Sequence, residues 1–262
     1  MNILETIIEN KKIEVARAKE NISLNDLMKF DFFKRETLSL AKALTNENSS
    51  GIISEFKRKS PSKGDINSGA RIIETTKAYS EAGAVGISIL TDEIFFGGFK
   101  EDLILARKNN PNTPLLRKDF IIDLYQIYEA KAWGADVILL IAANLEPKQI
   151  EKFSKKAHEL NLEVLLEVHD KSEIEKSPMK YVDIVGVNNR NLKNFAENNV
   201  DASIQLFEFI PNDKVKISES CISNPNTVKD LKKIGYSGFL MGETFMKTTN
   251  PGKSLEEFIK LL

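Results

Sequence analysis

The sequence predicts an α/β chain wound as a (β/α)8 barrel, and three observations carry that expectation. Eight short apolar or β-branched runs recur at spacings of roughly 20–34 residues, amphipathic helical stretches fill the gaps, and several helices end on glycine just before the next run. The length of 262 residues is close to the ~250 that such barrels occupy as one domain. An open doubly wound sheet is the competing arrangement, because strand number alone does not establish closure.

The strand candidates are Gly51–Phe56, Val85–Leu90, Pro114–Arg117, Asp136–Ile141, Leu162–Val168, Val182–Val187, Val215–Ile217 and Gly238–Met241. Runs such as Val137 through Ile141 are apolar on both faces, as parallel strands covered by helices require. The helix candidates are Ala70–Ala82, Glu101–Lys108, Leu124–Trp133, Pro147–Leu160, Lys171–Lys176, Ala202–Phe209, Pro225–Ile234 and Leu255–Leu262. Three of them end alike, at Gly83, Gly134 and Gly235, where glycine takes the left-handed conformation that stops a helix. The first 50 residues are additional to the repeat. There Ile3, Leu4, Ile7, Ile8 and Ile13 are spaced for an amphipathic helix, and a polar connection follows through Thr45–Ser50. One domain over residues 1–262 is expected, with residues 1–50 as an N-terminal helical extension.

Lys and Arg total 37 against 38 Asp and Glu, so the net charge of −1 gives no electrostatic basis for general nucleic-acid or anionic-membrane binding. The single cysteine, Cys221, has no internal disulfide partner, which fits a reducing compartment. Glu5 and Glu9 stand where a signal peptide needs its apolar stretch, and no apolar run approaches the ~18 residues of a membrane span. A cytoplasmic location is the expectation. With two histidines and one cysteine dispersed along the chain, neither a metal nor a cofactor is expected, and no obligate protein partner is evident.

A barrel of this kind places its chemistry at the carboxyl ends of its strands. The first such end carries Glu55 and Lys57, two apart and therefore on one face. The third carries Lys118, the fifth Glu167, the sixth Asn188 and the seventh Glu219. Two lysines and three carboxylates thus converge on one mouth, and burying such groups is costly unless they are paired. A structural ion-pair network across the barrel top is the bland alternative.

The segments Ile53–Gly64, Ser88–Asp92, Phe96–Gly98, Leu116–Phe120, Val187–Leu192 and Glu219–Ile222 together resemble the indole-3-glycerol-phosphate synthase family. The likeness spans nearly the whole chain, extension included. It implies a TIM barrel acting on a small phosphorylated substrate, 1-(2-carboxyphenylamino)-1-deoxyribulose 5-phosphate. That compound is closed, decarboxylated and dehydrated to indole-3-glycerol phosphate in tryptophan biosynthesis. By resemblance Lys118 is the acid for ring closure, stabilising charge that grows on the carbonyl oxygen. Glu167, Lys57 and Glu55 match the family's positions for dehydration, with Asn188 and Glu219 orienting them. Spacing alone does not decide whether Lys57 or Glu167 is the dehydration acid.

The resemblance also assigns the ligand-holding groups. Phosphate falls to Ser60, Ser220 and the backbone at Cys221, with Gly242 and Glu243 opening a short helix opposite. Arg190 is left to bind either the anthranilate carboxylate or the phosphate. Phe96, Phe120, Pro61 and Leu139 would wall the aromatic ring, ordinary packing being an equal reading for Leu139. The family usually has glycine where this chain has Cys221, so a negative φ is expected there, with the sulfur turned from the ligand.

Other residues are expected to do less. His158 falls on a helix as a surface or half-buried residue, Trp133 packs, and His169 lies near the mouth without a role that the family supplies. Arg58, Lys59 and Lys63 form either a lid over the anionic substrate or a solvated loop. Residues 195–200 read as a variable surface loop. Two other functions compete: a related phosphate-binding isomerase, disfavoured by the Lys57, Lys118 and Glu167 set, and a non-catalytic metabolite-binding barrel.

Overall fold

The computed structural model describes residues 3–190 and 199–262; Asn191 and Leu192 of the sixth-strand motif, and residues 195–198 of the expected surface loop, lie outside them. Eight parallel strands close on themselves: β1 (Ile52–Phe56), β2 (Gly86–Leu90), β3 (Leu115–Lys118), β4 (Val137–Ile141), β5 (Glu163–Val168), β6 (Ile184–Asn188), β7 (Val215–Glu219) and β8 (Gly238–Met241). Closure is direct, because β1 pairs with β2 on one side and with β8 on the other. The open doubly wound alternative is thereby excluded.

Strand alternation divides the core in two. Ile53, Leu116, Leu139, Leu165, Ile184, Ile217 and Leu240 point inward and fill the barrel. Their neighbours Ile52, Leu115, Ile138, Leu140, Leu166, Val185 and Phe239 point outward beneath the helices. Inward parity, followed toward the carboxyl ends, reaches Glu55, Lys118, Glu167, Asn188 and Glu219. Several strands run further than the sequence pattern indicates: β3 ends on Lys118, β6 on Asn188 and β7 on Glu219. The polar groups of the mouth therefore belong to the ladder itself, which fixes their backbone positions.

The outer layer consists mainly of α4 (Ile72–Glu81), α6 (Lys100–Asn109), α7 (Leu124–Trp133), α8 (Pro147–Glu159), α9 (Lys171–Lys176), α10 (Asp201–Leu206), α11 (Pro225–Ile234) and α13 (Pro251–Ile259). Gly83, Gly134 and Gly235 all have positive φ (98°, 93° and 122°), the conformation expected of these helix stops. The last helix begins four residues before the sequence pattern suggests, since Asn250 caps it and Pro251 fits its first turn. The helix expected to run to Phe209 changes to 3₁₀ geometry after Leu206. No described helix is long and apolar enough to cross a membrane.

The extension is more structured than its sequence suggests. Helix α1 (Ile3–Asn21) buries Ile7, Lys11 and Val15, spaced by four residues, while Ile13 is 54% exposed and faces away. The α2 turn (Leu24–Leu27) follows, and α3 (Leu40–Thr45) then plugs the amino end of the barrel. Glu163 at the start of β5 accepts the Leu40 and Ala41 N–H groups, at 2.8 and 3.0 Å, and so holds the start of α3. Glycine opens β2 and β8 for the same reason: a Cβ at Gly86 would lie 2.6 Å from Leu40, and one at Gly238 would lie 2.7 Å from Leu44. The polar stretch read as a connection thus begins inside a plug helix, whose leucines offer too short an apolar pattern to be recognised.

Candidate active site

The carboxyl end of the barrel opens into a cavity of about 580 Å3. Every site residue expected from the sequence lines it: Glu55, Lys57, Ser60, Pro61, Phe96, Lys118, Phe120, Leu139, Glu167, Asn188, Arg190, Glu219, Ser220, Cys221, Gly242 and Glu243. At its centre the Lys118 ammonium donates to Glu167 Oε2 at 2.9 Å and lies 3.9 Å from Glu219 Oε2. Asn188 donates to the other Glu167 oxygen at 3.2 Å, and its own carbonyl oxygen accepts the Arg190 N–H at 3.0 Å. Lys57 and Glu55 form a second ion pair on the β1 side. All these carboxylates are nearly inaccessible to solvent.

Burial and charge oppose one another here, and they resolve differently for each group. Burial alone would lower the Lys118 pKa, but Glu167, Glu219 and Glu55 raise it above the ordinary lysine range. Burial would raise the Glu167 pKa; the ammonium of Lys118, the His169 ring and the Asn188 amide together hold it well below the usual carboxylate range. For Glu219, burial and the neighbouring Glu167 charge push the pKa up, and Lys118 offsets them only in part. The mouth therefore holds a fully charged ammonium, an ionised carboxylate and a second carboxyl with an increased hold on its proton. Among the described residues no group of His, Cys, Asp and Glu has the arrangement of a metal site.

The loops arrange the remaining groups by size and charge. Phe96, at the end of the short helix α5 (Glu93–Phe96), meets Phe120 with centroids 5.9 Å apart, and the two form an aromatic wall of the cavity that Leu139 also lines. Ser60, Ser220, Cys221, Gly242 and Glu243 line the same cavity, and Arg190 donates to Ser62 Oγ at 2.8 Å. The short helix α12 (Glu243–Met246) starts here. The Glu243 carboxylate turns to the rim, 3.7 Å from Lys63 and 3.9 Å from Arg190. A side chain at Gly242 would meet Glu55 Oε1 at 2.8 Å, so glycine lets β8 pass close to the Glu55 carboxylate.

One sequence expectation is corrected, and one left open is narrowed. Cys221 does not adopt a negative φ: Ser220 and Cys221 lie at +67° and +58°, consecutive left-handed residues. The chain leaving β7 keeps one further ladder bond to β8, from the Ser220 N–H to Leu240 O at 3.4 Å, and changes direction at these two residues. Such positions cost non-glycine residues about 1–3 kcal/mol each, which explains why glycine suits the site better than cysteine. Burial also raises the Cys221 thiol pKa. The basic loop is likewise not uniform. Arg58 is bound to Asp102 at 2.9 Å and stacked 4.7 Å from the Phe56 ring, whereas Lys63 stays at the rim.

Several contributors escape the sequence reading. Ile3, Leu4 and Ile7 of the extension form part of the cavity wall. Lys11, fully buried, reaches Asp92 at 3.0 Å and Asp119 at 2.9 Å, the residues that follow β2 and β3. Its place in an i, i+4 apolar stripe was the available signal. His169 also lines the cavity, two residues beyond Glu167 and of the same strand parity.

Known proteins resemble this chain in sequence and in fold. The family model "Indole-3-glycerol phosphate synthase" matches residues 4–258. The indole-3-glycerol phosphate synthase of Bacteroides thetaiotaomicron is 47% identical over all of this chain and 99% of its own length. That of Legionella pneumophila is 42% identical over 98% of each. Among solved structures, 3-hexulose-6-phosphate synthase from Salmonella typhimurium superposes with a TM-score of 0.65 at 14% identity, covering 81% of this chain and 98% of that one, a likeness of fold.

Gly186 supplies a test of how tightly the mouth is built. A Cβ there would lie 2.0 Å from Glu219 Oε1 and 3.1 Å from Leu165 Cδ1. Gly186→Ala is expected to lower stability by about 1–3 kcal/mol and to reduce turnover by displacing the Glu219 carboxyl. Gly69→Ala, at an exposed position with nothing within 4 Å, should change neither. Denaturant midpoints and a steady-state assay read both effects; an active, fully stable Gly186→Ala protein would show that the Glu219 carboxyl moves freely.

Proposed function

The chain belongs to the indole-3-glycerol phosphate synthase family, and we propose that it divides the family's reaction between two ion pairs of the mouth, Lys118 with Glu167 and Lys57 with Glu55. The reaction converts 1-(2-carboxyphenylamino)-1-deoxyribulose 5-phosphate to indole-3-glycerol phosphate, carbon dioxide and water. The observation that carries the division is the position of Lys118, a half-buried ammonium between two buried carboxylates in the same cavity as the aromatic wall.

In ring closure, the ring carbon bearing the carboxylate attacks the ribulose carbonyl, and electrons move onto the carbonyl oxygen. Lys118 donates its proton there and so converts a growing alkoxide to a hydroxyl. Its raised pKa keeps that proton available throughout the neutral range. Carbon dioxide then leaves from the same ring carbon. In dehydration the new hydroxyl departs as water, needing one proton delivered and one removed. Glu167, held ionised, fits the removal; Lys57 fits the delivery. Asn188 and Glu219 orient these groups through Glu167 and Lys118.

The phosphate belongs with Ser60, Ser220, the Cys221 backbone and Gly242, beneath Arg190, as in many barrels that bind phosphate at their last strand ends. The anthranilate ring belongs against Phe96, Phe120, Pro61 and Leu139. Arg190 is assigned to the phosphate, because it shares a rim with Glu243 and Ser62 on that side of the cavity. A single-domain enzyme of the cytoplasm is the setting that fits a biosynthetic activity of this kind.

The assay is direct: purified protein is mixed with the substrate, and indole fluorescence is followed. Folded protein giving no fluorescence would overturn the reading. Lys118→Met should still fold, though with reduced stability because Glu167 and Glu219 lose their shared cation, and should lower turnover by at least ~10²-fold, since it removes a general acid acting on developing charge. Near-native turnover in that variant would show that Lys118 is not the acid. Glu167→Gln should reduce kcat far more than it raises KM, because the amide keeps the shape and loses the base. A change confined to KM would make Glu167 a binding group.

A further inference from the structure

His169 stands at the edge of the site with no part in the reaction as described above. It follows β5 directly, and its ring bridges two carboxylates. Nδ1 lies 3.3 Å from Glu173 Oε2 in α9, and the same oxygen accepts the His169 backbone N–H at 2.8 Å. Nε2 lies 3.4 Å from Glu167 Oε1, is buried, and has no well-aligned hydrogen-bond acceptor in this arrangement. Glu167 is thus approached by Lys118 on one oxygen and by Asn188 and His169 on the other.

We propose that His169 is a positioning residue that, in its imidazolium form, holds Glu167 ionised and oriented for proton removal. The inference rests on the assignment of Glu167 as the base. Only the imidazolium carries protons on both ring nitrogens, and both face carboxylate oxygens. The charged groups facing the ring are Glu167 on its own strand, Glu173 on α9 and Glu219 on β7, with Lys118 on β3 beyond Glu167. Glu173 and Glu167, with a smaller contribution from Glu219, outweigh the burial that would otherwise favour the neutral ring, and the His169 pKa is raised. The arrangement also answers a difficulty at the site. When Lys118 gives up its proton to the substrate, Glu167 loses the charge of its principal partner. A second cation on the opposite oxygen keeps Glu167 from taking a proton before dehydration needs it.

The coupling is reciprocal, so it can be read from either partner. His169→Gln keeps a neutral donor near the Nε2 position and removes the charge. It is expected to shift the acidic limb of the kcat/KM profile upward by about one pH unit, because Glu167 then binds its proton more tightly, with plateau KM within about twofold of the parent. The companion measurement needs no turnover. The chain has only two histidines, so imidazole 15N spectra of a His158→Gln background report His169 alone. His169 is expected to titrate above the ordinary ~6.5, and adding Glu167→Gln should lower its midpoint by a comparable amount. An unmoved acidic limb, or a His169 midpoint indifferent to Glu167→Gln, would overturn the proposal. If the spectra show the coupling while Glu167→Gln retains full turnover, the pair exists and the assignment of Glu167 as base is what fails.

Discussion

The ammonium of Lys118, 2.9 Å from Glu167 and 3.9 Å from Glu219 inside the barrel mouth, is the contact around which the rest of this molecule is organised. Each of these groups would be expensive to bury alone, and each is tolerable because the others are fixed beside it. Barrel closure supplies that fixity. In a closed parallel sheet, inward parity sends one residue from each strand end into a shared space, so three strands deliver the lysine and both carboxylates without flexible loops. One ammonium cannot fully compensate two carboxylates. The pKa values of Glu167 and Glu219 therefore separate in opposite directions, as an acid–base site requires.

The extension serves the same centre from two ends. At the carboxyl end, Lys11 ties α1 to Asp92 and Asp119, and Asp119 directly follows Lys118. Arg117 and Thr91 hold the second Asp119 oxygen, at 3.0 and 2.6 Å. Burial would raise the Asp119 pKa, yet Lys11 and Arg117 hold it below the carboxylate range, so the residue stays an anchor rather than a proton carrier. At the amino end, Leu40 and Leu44 occupy the space left by glycines in β2 and β8, and Glu163 holds their helix in place. The barrel is thus packed from below and clamped from above.

Much of this was legible in the sequence because its physical basis is local. Strand parity placed Glu55, Lys57, Lys118, Glu167, Asn188 and Glu219 at one mouth, and helix-stopping glycines marked Gly83, Gly134 and Gly235. Less legible features depend on contacts between distant segments. The partners of Lys11 emerge only when α1 is laid across the ends of β2 and β3. Ile13 reads as apolar stripe, yet the buried face is set by Ile7, Lys11 and Val15. The backbone at Cys221 was misread because side-chain chemistry favours a negative φ there, while the required turn after β7 imposes a positive one. His169 is a local case: Glu167 and Glu173 are two and four residues away, and only the turn from β5 into α9 shows that the ring lies between them.

The central claim is that Lys118 remains a full ammonium in a buried site because two carboxylates compensate it. Carbon-13 labelling at lysine Cε, with Lys118→Met to assign the signal, follows that ionisation directly. Surface lysines titrate near ~10.4, and the account predicts that the Lys118 signal is still that of an ammonium at about pH 11, when theirs has moved. A Lys118 midpoint at or below that of the surface lysines would mean that burial prevails over the two carboxylates, and the account of the mouth would be wrong.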